Sequence, residues 1–325
     1  MNGNFWNRLK KPIFAMAPMA DVTDAPFRRI IAKYGKPDIL FTEFVSTDGL
    51  CSPGKEKLLR DLIYSEEERP IVAQIFGKNP EKFYETAKLI HALGFDGVDI
   101  NMGCPDRRVC RSGAGASLIE NPALAKEIII ATQEGSNGLP VSVKTRMGYH
   151  KNELETWVQN LLETRPAAIT IHLRTKKDMS KVDARWDEIV LAVALAKDEE
   201  TLIIGNGDIQ NLKEARDMVE KTGVDGVMLG RAIFGNPWLF NPDVNVENIS
   251  FEEKMKVLLE HAVVYEEVFQ GKKKFAVMRK HFKAYISGFP GSKELRGALE
   301  KTNSFKEVKN IIADFRYIGK DFEVA

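Results

Sequence analysis

Eight short apolar runs each end in residues able to do chemistry. In chain order the ends carry Pro18-Met19-Ala20, Glu43, Gln74, Asn101 with Cys104, Lys144 with Arg146, His172 with Arg174, Asn206-Gly207-Asp208, and Gly230-Arg231. Cys104 stands among Gly103, Pro105, Gly113 and Gly115, with Arg107, Arg108 and Arg111 close in sequence. A structural cysteine belongs inside an apolar run, so its place at the end of one points to chemistry. With the ordinary thiol pKa near 8.5 it is mostly protonated at neutral pH and can serve as a general acid. Metal binding fails on spacing, because no second Cys lies two to four residues away and Cys110 has no His in the loop. A hydrolytic Cys–His pair with His172 is conceivable, but it leaves the other strand-end residues without a role.

Those others suit an anionic ligand. Gly205-Asn206-Gly207-Asp208 and Leu229-Gly230-Arg231 are small, Gly-rich segments at the last two run ends, where backbone N–H groups can approach a phosphate. A phosphorylated cofactor is therefore expected, with Lys144, His172, Arg174 and Arg231 around it. A cation at the fifth run end suits the N1–C2 edge of a flavin, which becomes anionic on reduction. Each residue alone has a structural alternative: Lys144 as a partner for Glu43, His172 as a satisfied core histidine, the glycines as tight turns.

Something must bring eight separate run ends together. The runs, near 13–17, 39–42, 71–75, 97–101, 141–144, 168–172, 202–205 and 226–229, are rich in Ile, Val and Ala and continuously apolar, as strands buried on both faces are. Segments with helical periodicity fall between most of them, for example 80–93, 122–133, 152–164, 186–196 and 212–221. Eight βα units in roughly 240 residues predict an α/β chain folded as a (β/α)₈ TIM barrel, whose chemistry sits where strands pass into βα loops. After Asn241-Pro242 the pattern changes to helices alone, with Leu258, Leu259, Ala262, Val263 and Tyr265 on one apolar face and Ile311, Ile312, Phe315 and Ile318 on another. The division predicted is a catalytic barrel over 1–242 and a small all-helical domain over 243–325.

Composition narrows the setting. The 325 residues are 44% hydrophobic and 29% charged, with a formal net charge of +1, which excludes a disordered or fibrous chain. The longest apolar run, 189–196, is far short of the ~20 residues of a membrane span. Three cysteines do not make the even, dense set of a secreted disulfide scaffold, so a reducing cytoplasm is expected. The apolar stretch 13–20 after Lys10-Lys11 mimics a signal peptide, but Pro18 breaks it and Asp21 ends it. Charge is uneven: residues 271–301 carry nine Lys or Arg against Glu294 and Glu300, a net of +7. Such a stretch is either a solvated helix face or the footprint of a polyanionic partner.

The run ends also carry a family likeness. Met16-Ala-Pro-Met-Ala-Asp-Val-Thr-Asp24 with Phe27-Arg28, Ala73-Gln-Ile-Phe-Gly77, Asp99-Ile-Asn-Met-Gly-Cys-Pro105 with Val109 and Gly113-Ala-Gly-Ala116, Val143-Lys-Thr-Arg146, His172 with Arg174-Thr175, Asn206-Gly-Asp208, and Gly230-Arg-Ala232 with Gly235-Asn-Pro-Trp238 resemble the tRNA-dihydrouridine synthases. The resemblance spans the whole chain. It implies FMN on the barrel mouth, with Pro18, Met19 and Ala20 against the ring, Gln74 and Lys144 at its polar edge, His172 facing it, and Asn206, Gly207, Asp208, Gly230 and Arg231 on the ribityl phosphate. It implies hydride transfer to uridine C6 and proton transfer from Cys104 to C5, after NADPH has reduced the flavin. A hydride cannot come from an amino acid, so a cofactor has to carry it. Asn101, Arg146 and Arg174 would meet the substrate uridine, flipped from its stack. Lys272, Lys273, Lys274, Arg279 and Lys280, with Phe275, Phe282 and Tyr285 between, would grip tRNA. No G-x-G-x-x-G is present, so NADPH would visit transiently; a monomer without metal is expected. Over 173–181 the sequence departs from the family pattern, on the substrate side. A flavin barrel acting on a free pyrimidine, similar to dihydroorotate dehydrogenase, and an RNA-binding homologue without catalysis are the alternatives.

Overall fold

A computed structural model describes residues 4–315. Nine strands form one parallel sheet: β1 (Ile13–Met16), β2 (Leu40–Phe41), β3 (Val45–Ser46), β4 (Ile71–Phe76), β5 (Gly97–Met102), β6 (Val141–Arg146), β7 (Ala168–His172), β8 (Leu202–Asn206) and β9 (Gly226–Leu229). Hydrogen bonds join them in the order β1-β9-β8-β7-β6-β5-β4-β2. A bridge between Ala15 and Ile39 brings β1 to β2 and closes the ring. β2 and β3 both pair with β4 and make one interrupted stave, so the expected (β/α)₈ barrel is what forms. The interruption, where a strand over 39–42 was expected to run into a loop, has a local cause. Thr42 Oγ1 donates to the carbonyl of Glu43 and accepts from Gln74 N, and the Glu43 carboxylate turns across the mouth to the backbone N–H of Asp21.

Helix starts follow the local sequence. Asp24, Asn79, Asn121 and Asn211 cap the helices Ala25–Tyr34, Pro80–Ala92, Pro122–Gly135 and Leu212–Thr222, two of which begin on a proline whose missing N–H costs nothing there. Leu154–Leu162 and Ile189–Leu195 complete the outer layer, the latter preceded by a 3₁₀ turn at Trp186–Glu188. On β6, Thr145 points outward and accepts from Trp157 Nε1 at 2.9 Å, which leaves Ser142, Lys144 and Arg146 facing the barrel axis.

The C-terminal helices have a core of their own. Ser250 and Glu253 form a capping box at the start of Phe251–Phe269, Arg279–Tyr285 and Phe305–Asp314 pack against that helix, and Ser292–Leu299 packs on these two. Leu258, Ala262, Tyr265 and Ile312 are buried there together with Ile30 of Ala25–Tyr34, while Ile318 lies outside the described residues. Tyr34 Oη donates to Glu260 at 2.7 Å and Lys33 pairs with the same carboxylate at 2.6 Å, so this layer is fastened to the barrel's first helix.

Candidate active site

The parallel register sets Gln74, Asp99 and Ser142 side by side on β4, β5 and β6, all facing inward. Ser142 Oγ donates to Asp99 Oδ1 at 2.6 Å and Gln74 Nε2 to Asp99 Oδ2 at 2.6 Å. One layer higher, Asn101 Nδ2 donates to Gln74 Oε1 at 3.0 Å, and Asn101 Oδ1 accepts from the N–H groups of Gly103 and Cys104 at 3.1 and 2.9 Å. The Cys104 loop thus leaves the strand in a turn held by an asparagine side chain. Gly115, at φ +61, closes over it from the other side; a Cβ there would lie 2.9 Å from the Cys104 carbonyl oxygen. Burial pushes the Cys104 thiol pKa up, which keeps it protonated at neutral pH.

Beside the Cys104 loop lies a cavity of about 280 Å³, bordered by Pro18, Met19, Pro105, Lys144, Arg146, His172, Arg174, Asn206, Gly207, Asp208, Gly230 and Arg231. Ala20 lies outside this lining and is exposed. Lys144 Nζ donates to Asn206 Oδ1 at 3.1 Å, so its partner is Asn206 rather than Glu43. Burial, with Arg146 adding repulsion, lowers the Lys144 pKa to about 8. His172 is pushed down to about 2 by burial and by Lys144, Arg146, Arg174 and Arg231, so it is neutral. Arg174 Nη1 lies 3.2 Å from His172 Nε2 and can only donate, which makes Nε2 the acceptor and places the ring proton on Nδ1.

Two arginines assigned to the substrate from sequence are held by the protein. Arg146 donates from Nε to Gly103 O at 2.7 Å and from Nη1 to Thr175 O and Met179 O, tying the Cys104 loop to the loop after β7. Arg174 is buried and pairs with Asp208, whose other oxygen accepts from Arg231 at 2.8 Å. These guanidinium groups hold the Asp208 carboxyl below its usual range, against the effect of burial. Gly207 needs its φ of +140 and its missing side chain, since a Cβ would meet Ala184 Cβ at 2.7 Å. Gln74 is wholly buried, with both ends of its amide engaged below the mouth.

Beside β1 and β2 the mouth is acidic. Asp24 is buried, with Oδ1 accepting from Phe27 N and Oδ2 unpartnered; burial and Glu43 raise its pKa to about 7. Lys273 reaches in from the helical layer to Asp61 at 2.6 Å and Glu43 at 3.4 Å. The basic run is thereby divided. Lys273 is drawn into the mouth, Arg279 donates to Thr302 O and Asn303 Oδ1, Lys280 lies 4.0 Å from Asp21, and Lys272 and Lys274 are exposed. Phe275, Phe282 and Tyr285, expected between bases, are buried in the helical core, as aromatics at helical spacing usually are.

Sequence reasoning passed over Asp99 and Ser142 because it collected residues after each apolar run. The available signal was a carboxylate inside a run where every neighbour is apolar. Among the described residues no group of three or more His, Cys, Asp or Glu could hold a metal, and no helix is long and apolar enough to cross a membrane.

Solved structures with the same fold include a 2-naphthoyl-CoA reductase bound to 2-naphthoyl-CoA, at TM-score 0.55 and 13% identity over 73% of this chain and 50% of that one. Another is the 6-hydroxypseudooxynicotine amine oxidase of Pseudomonas geniculata N1, at TM-score 0.53 and 12% identity over 70% and 46%. At such identities the likeness is one of fold. Sequence relatives are nearer: the probable tRNA-dihydrouridine synthase of Staphylococcus aureus strain COL is 42% identical over 97% of this chain and 96% of its own. The probable tRNA-dihydrouridine synthase 2 of Bacillus subtilis strain 168 is 41% identical over 97% of both. Since the dihydrouridine synthase family model matches residues 15–317, barrel and helical layer alike, the chain belongs to the dihydrouridine synthase family, which are oxidoreductases.

Proposed function

We propose that the protein reduces the C5=C6 bond of specific uridines in tRNA, with FMN in the cavity at the barrel mouth and NADPH as the reductant. The observation that carries this reading is a half-buried thiol on the β5 loop, next to Pro105, which borders the cation-lined cavity. The lining fits a flat phosphorylated group: Lys144 lies beside an amide, His172 is a neutral donor through Nδ1, and Gly207, Gly230 and Arg231 offer close backbone approach and a guanidinium. FMN, when bound and reduced, supplies the hydride for uracil C6.

The protein does the rest. Cys104 donates its proton to C5, and its raised pKa keeps that proton available near pH 7. Lys144 balances negative charge at the cavity's edge. Arg174 acts through Asp208, and Arg146 by holding two loops, so both support the site from behind. Asn101 keeps one Nδ2 hydrogen for the uracil. Residues 1–242 form the catalytic domain and 243–325 the tRNA-binding domain, with Lys272 and Lys274 the exposed cations nearest the mouth-facing Lys273. The protein works as a monomer in the cytoplasm.

The test is anaerobic. The purified protein is reduced with NADPH and mixed with unmodified tRNA while flavin absorbance is followed. Reoxidation by tRNA but not by free uracil or orotate is expected; reoxidation by a free pyrimidine instead would replace this reading with that of a small-molecule reductase. Cys104→Ala should keep NADPH oxidation and lose most dihydrouridine, by about 10²–10⁴ in rate, and an unchanged yield would remove Cys104 from the chemistry.

A further inference from the structure

Asp99 takes no part in the chemistry above, yet it is a buried carboxylate one layer beneath Asn101, whose side chain holds the Cys104 turn. We propose that Asp99 is a positioning residue for Cys104, its two acceptor oxygens setting the direction of a hydrogen-bond chain that runs through Gln74 and Asn101 to the Cys104 backbone N–H.

The direction is fixed from both ends. At the upper end Gly103 N and Cys104 N can only donate, so the atom they meet on Asn101 must be its oxygen, at 3.1 and 2.9 Å. Asn101 then has only its nitrogen for Gln74, which answers with Oε1 at 3.0 Å and is left with Nε2 for Asp99 at 2.6 Å. At the lower end the carboxylate accepts from Gln74 and from Ser142, one on each oxygen, which an ionised Asp does and the single oxygen of an amide does not match. Burial raises the Asp99 pKa to about 6, opposed by the bonds from Ser142 and Gln74 and by the charge on Lys144, so the carboxylate is ionised at neutral pH. Two primary amides in series have no intrinsic preference for which end points up. Only an acceptor at the bottom makes the Cys104 turn the single satisfied arrangement, and unmatched amides in such a buried row are costly. This inference rests on Cys104 being the proton donor, but its test reads the Cys104 backbone and not turnover.

The experiment moves the charge by one residue. In Asp99→Asn the single amide oxygen can accept from Gln74 or from Ser142 but not from both, so either Gln74 Nε2 or the Ser142 hydroxyl hydrogen loses its acceptor. In Gln74→Glu two carboxylates face each other. In the double variant Asp99→Asn/Gln74→Glu, the amide introduced at position 99 accepts from Ser142 and donates to the carboxylate introduced at position 74. That carboxylate also accepts from Asn101, so each contact along the row again pairs a donor with an acceptor. ¹⁵N-cysteine labelling gives signals from three residues, and that of Cys104 is identified by its loss in Cys104→Ser. Its amide hydrogen exchange should rise about tenfold in each single variant and return to within about threefold of native in the double. Native exchange in Asp99→Asn, or a double variant as unprotected as the two singles combined, overturns the proposal. Should Asp99→Asn not fold, Gln74→Glu against the double variant decides it by the same criterion. A failure here with Cys104→Ala still abolishing product would sink the positioning role alone, whereas an active Cys104→Ala would sink the reading beneath it.

Discussion

Replacing Lys144 by Met should make the cofactor-free protein more stable at pH 7 and more weakly binding for FMN. A fall in pKa from the ordinary 10.5 to about 8 corresponds, at 1.36 kcal/mol per pH unit, to about 3 kcal/mol of cost for holding the charge in place. Lys144 borders the cavity, where water screens part of this, so about 2–3 kcal/mol is the working range. Methionine removes that cost and leaves Asn206 Oδ1 without its donor, a loss of about 1–2 kcal/mol. The net is a gain of about 1 kcal/mol below pH 8. The sign with pH follows from proton counting. Between about pH 8 and 10.5 the unfolded chain holds the Lys144 proton and the folded chain does not, so native stability climbs through that window while the variant, lacking the group, does not share the climb. The variant's advantage should shrink across it and turn into a deficit from the unpaired Asn206. Urea denaturation of both proteins without cofactor, at several pH values from 7 to 10, reads the difference directly, and other titrating groups cancel. A variant less stable than native at pH 7, with a gap that pH does not alter, would refute the claim that this lysine is held at a cost.

Two further outcomes test the frame around the site. Arg28 and Glu68 are both fully buried and paired at 2.5 Å, and Arg28 also donates to Thr23 O at 2.7 Å beneath the loop that carries Pro18 and Met19. Glu68→Gln leaves that guanidinium uncompensated and should cost about 3–5 kcal/mol, read as a lower urea midpoint; an unchanged midpoint would show that the pair carries no stability. Lys272→Glu with Lys274→Glu should weaken tRNA binding and flatten its dependence on salt by about two phosphate contacts, whereas Lys273→Gln should leave that slope unaltered because its charge is already matched by Glu43 and Asp61. A slope that falls only with Lys273 would reverse the division of the basic run.

The barrel was legible because βα alternation and doubly buried strands leave a strong trace, and the runs at 13–17, 97–101 and 226–229 differ from the observed strands by a residue at most. The stave formed by β2 and β3 was not, since its break depends on Glu43 turning toward a loop that is distant in sequence. Strand ends placed Pro18, Met19, Lys144, His172, Asn206 and Arg231 on the cavity, because position along a strand fixes height in a barrel, while Gln74 lies below it and Ala20 outside it. What position cannot fix is whether a side chain is already engaged. Arg146, Arg174 and Lys273 carry charges that suit a nucleic acid, and only the fold shows Gly103 O, Asp208 and Asp61 waiting for them. Phe275, Phe282 and Tyr285 failed as a nucleic-acid surface for the same reason, their spacing being that of a helix's inner face.

The mouth is electrically divided, and the division has a consequence for how the two layers meet. From β6 to β9 it presents Lys144, Arg146, Arg174 and Arg231, answered among the described residues of the cavity lining only by Asp208. From β1 to β3 it presents Asp21, Asp24, Glu43 and Asp61, with the helical layer sending in Lys273 and Lys280. Four cations around one cavity repel each other and add to the burial that holds His172 uncharged, an arrangement that an anion relieves. Four carboxylates opposite would repel that anion if left bare. Burial, with Glu43 repelling Asp24 and Asp61 repelling Glu43, instead pushes Asp24 and Glu43 toward their neutral forms, and Lys273 offsets what charge is left. The helical layer is thus part of the site's electrostatics, and removing Lys273 should unsettle the mouth before it affects the contact with nucleic acid proposed for Lys272 and Lys274.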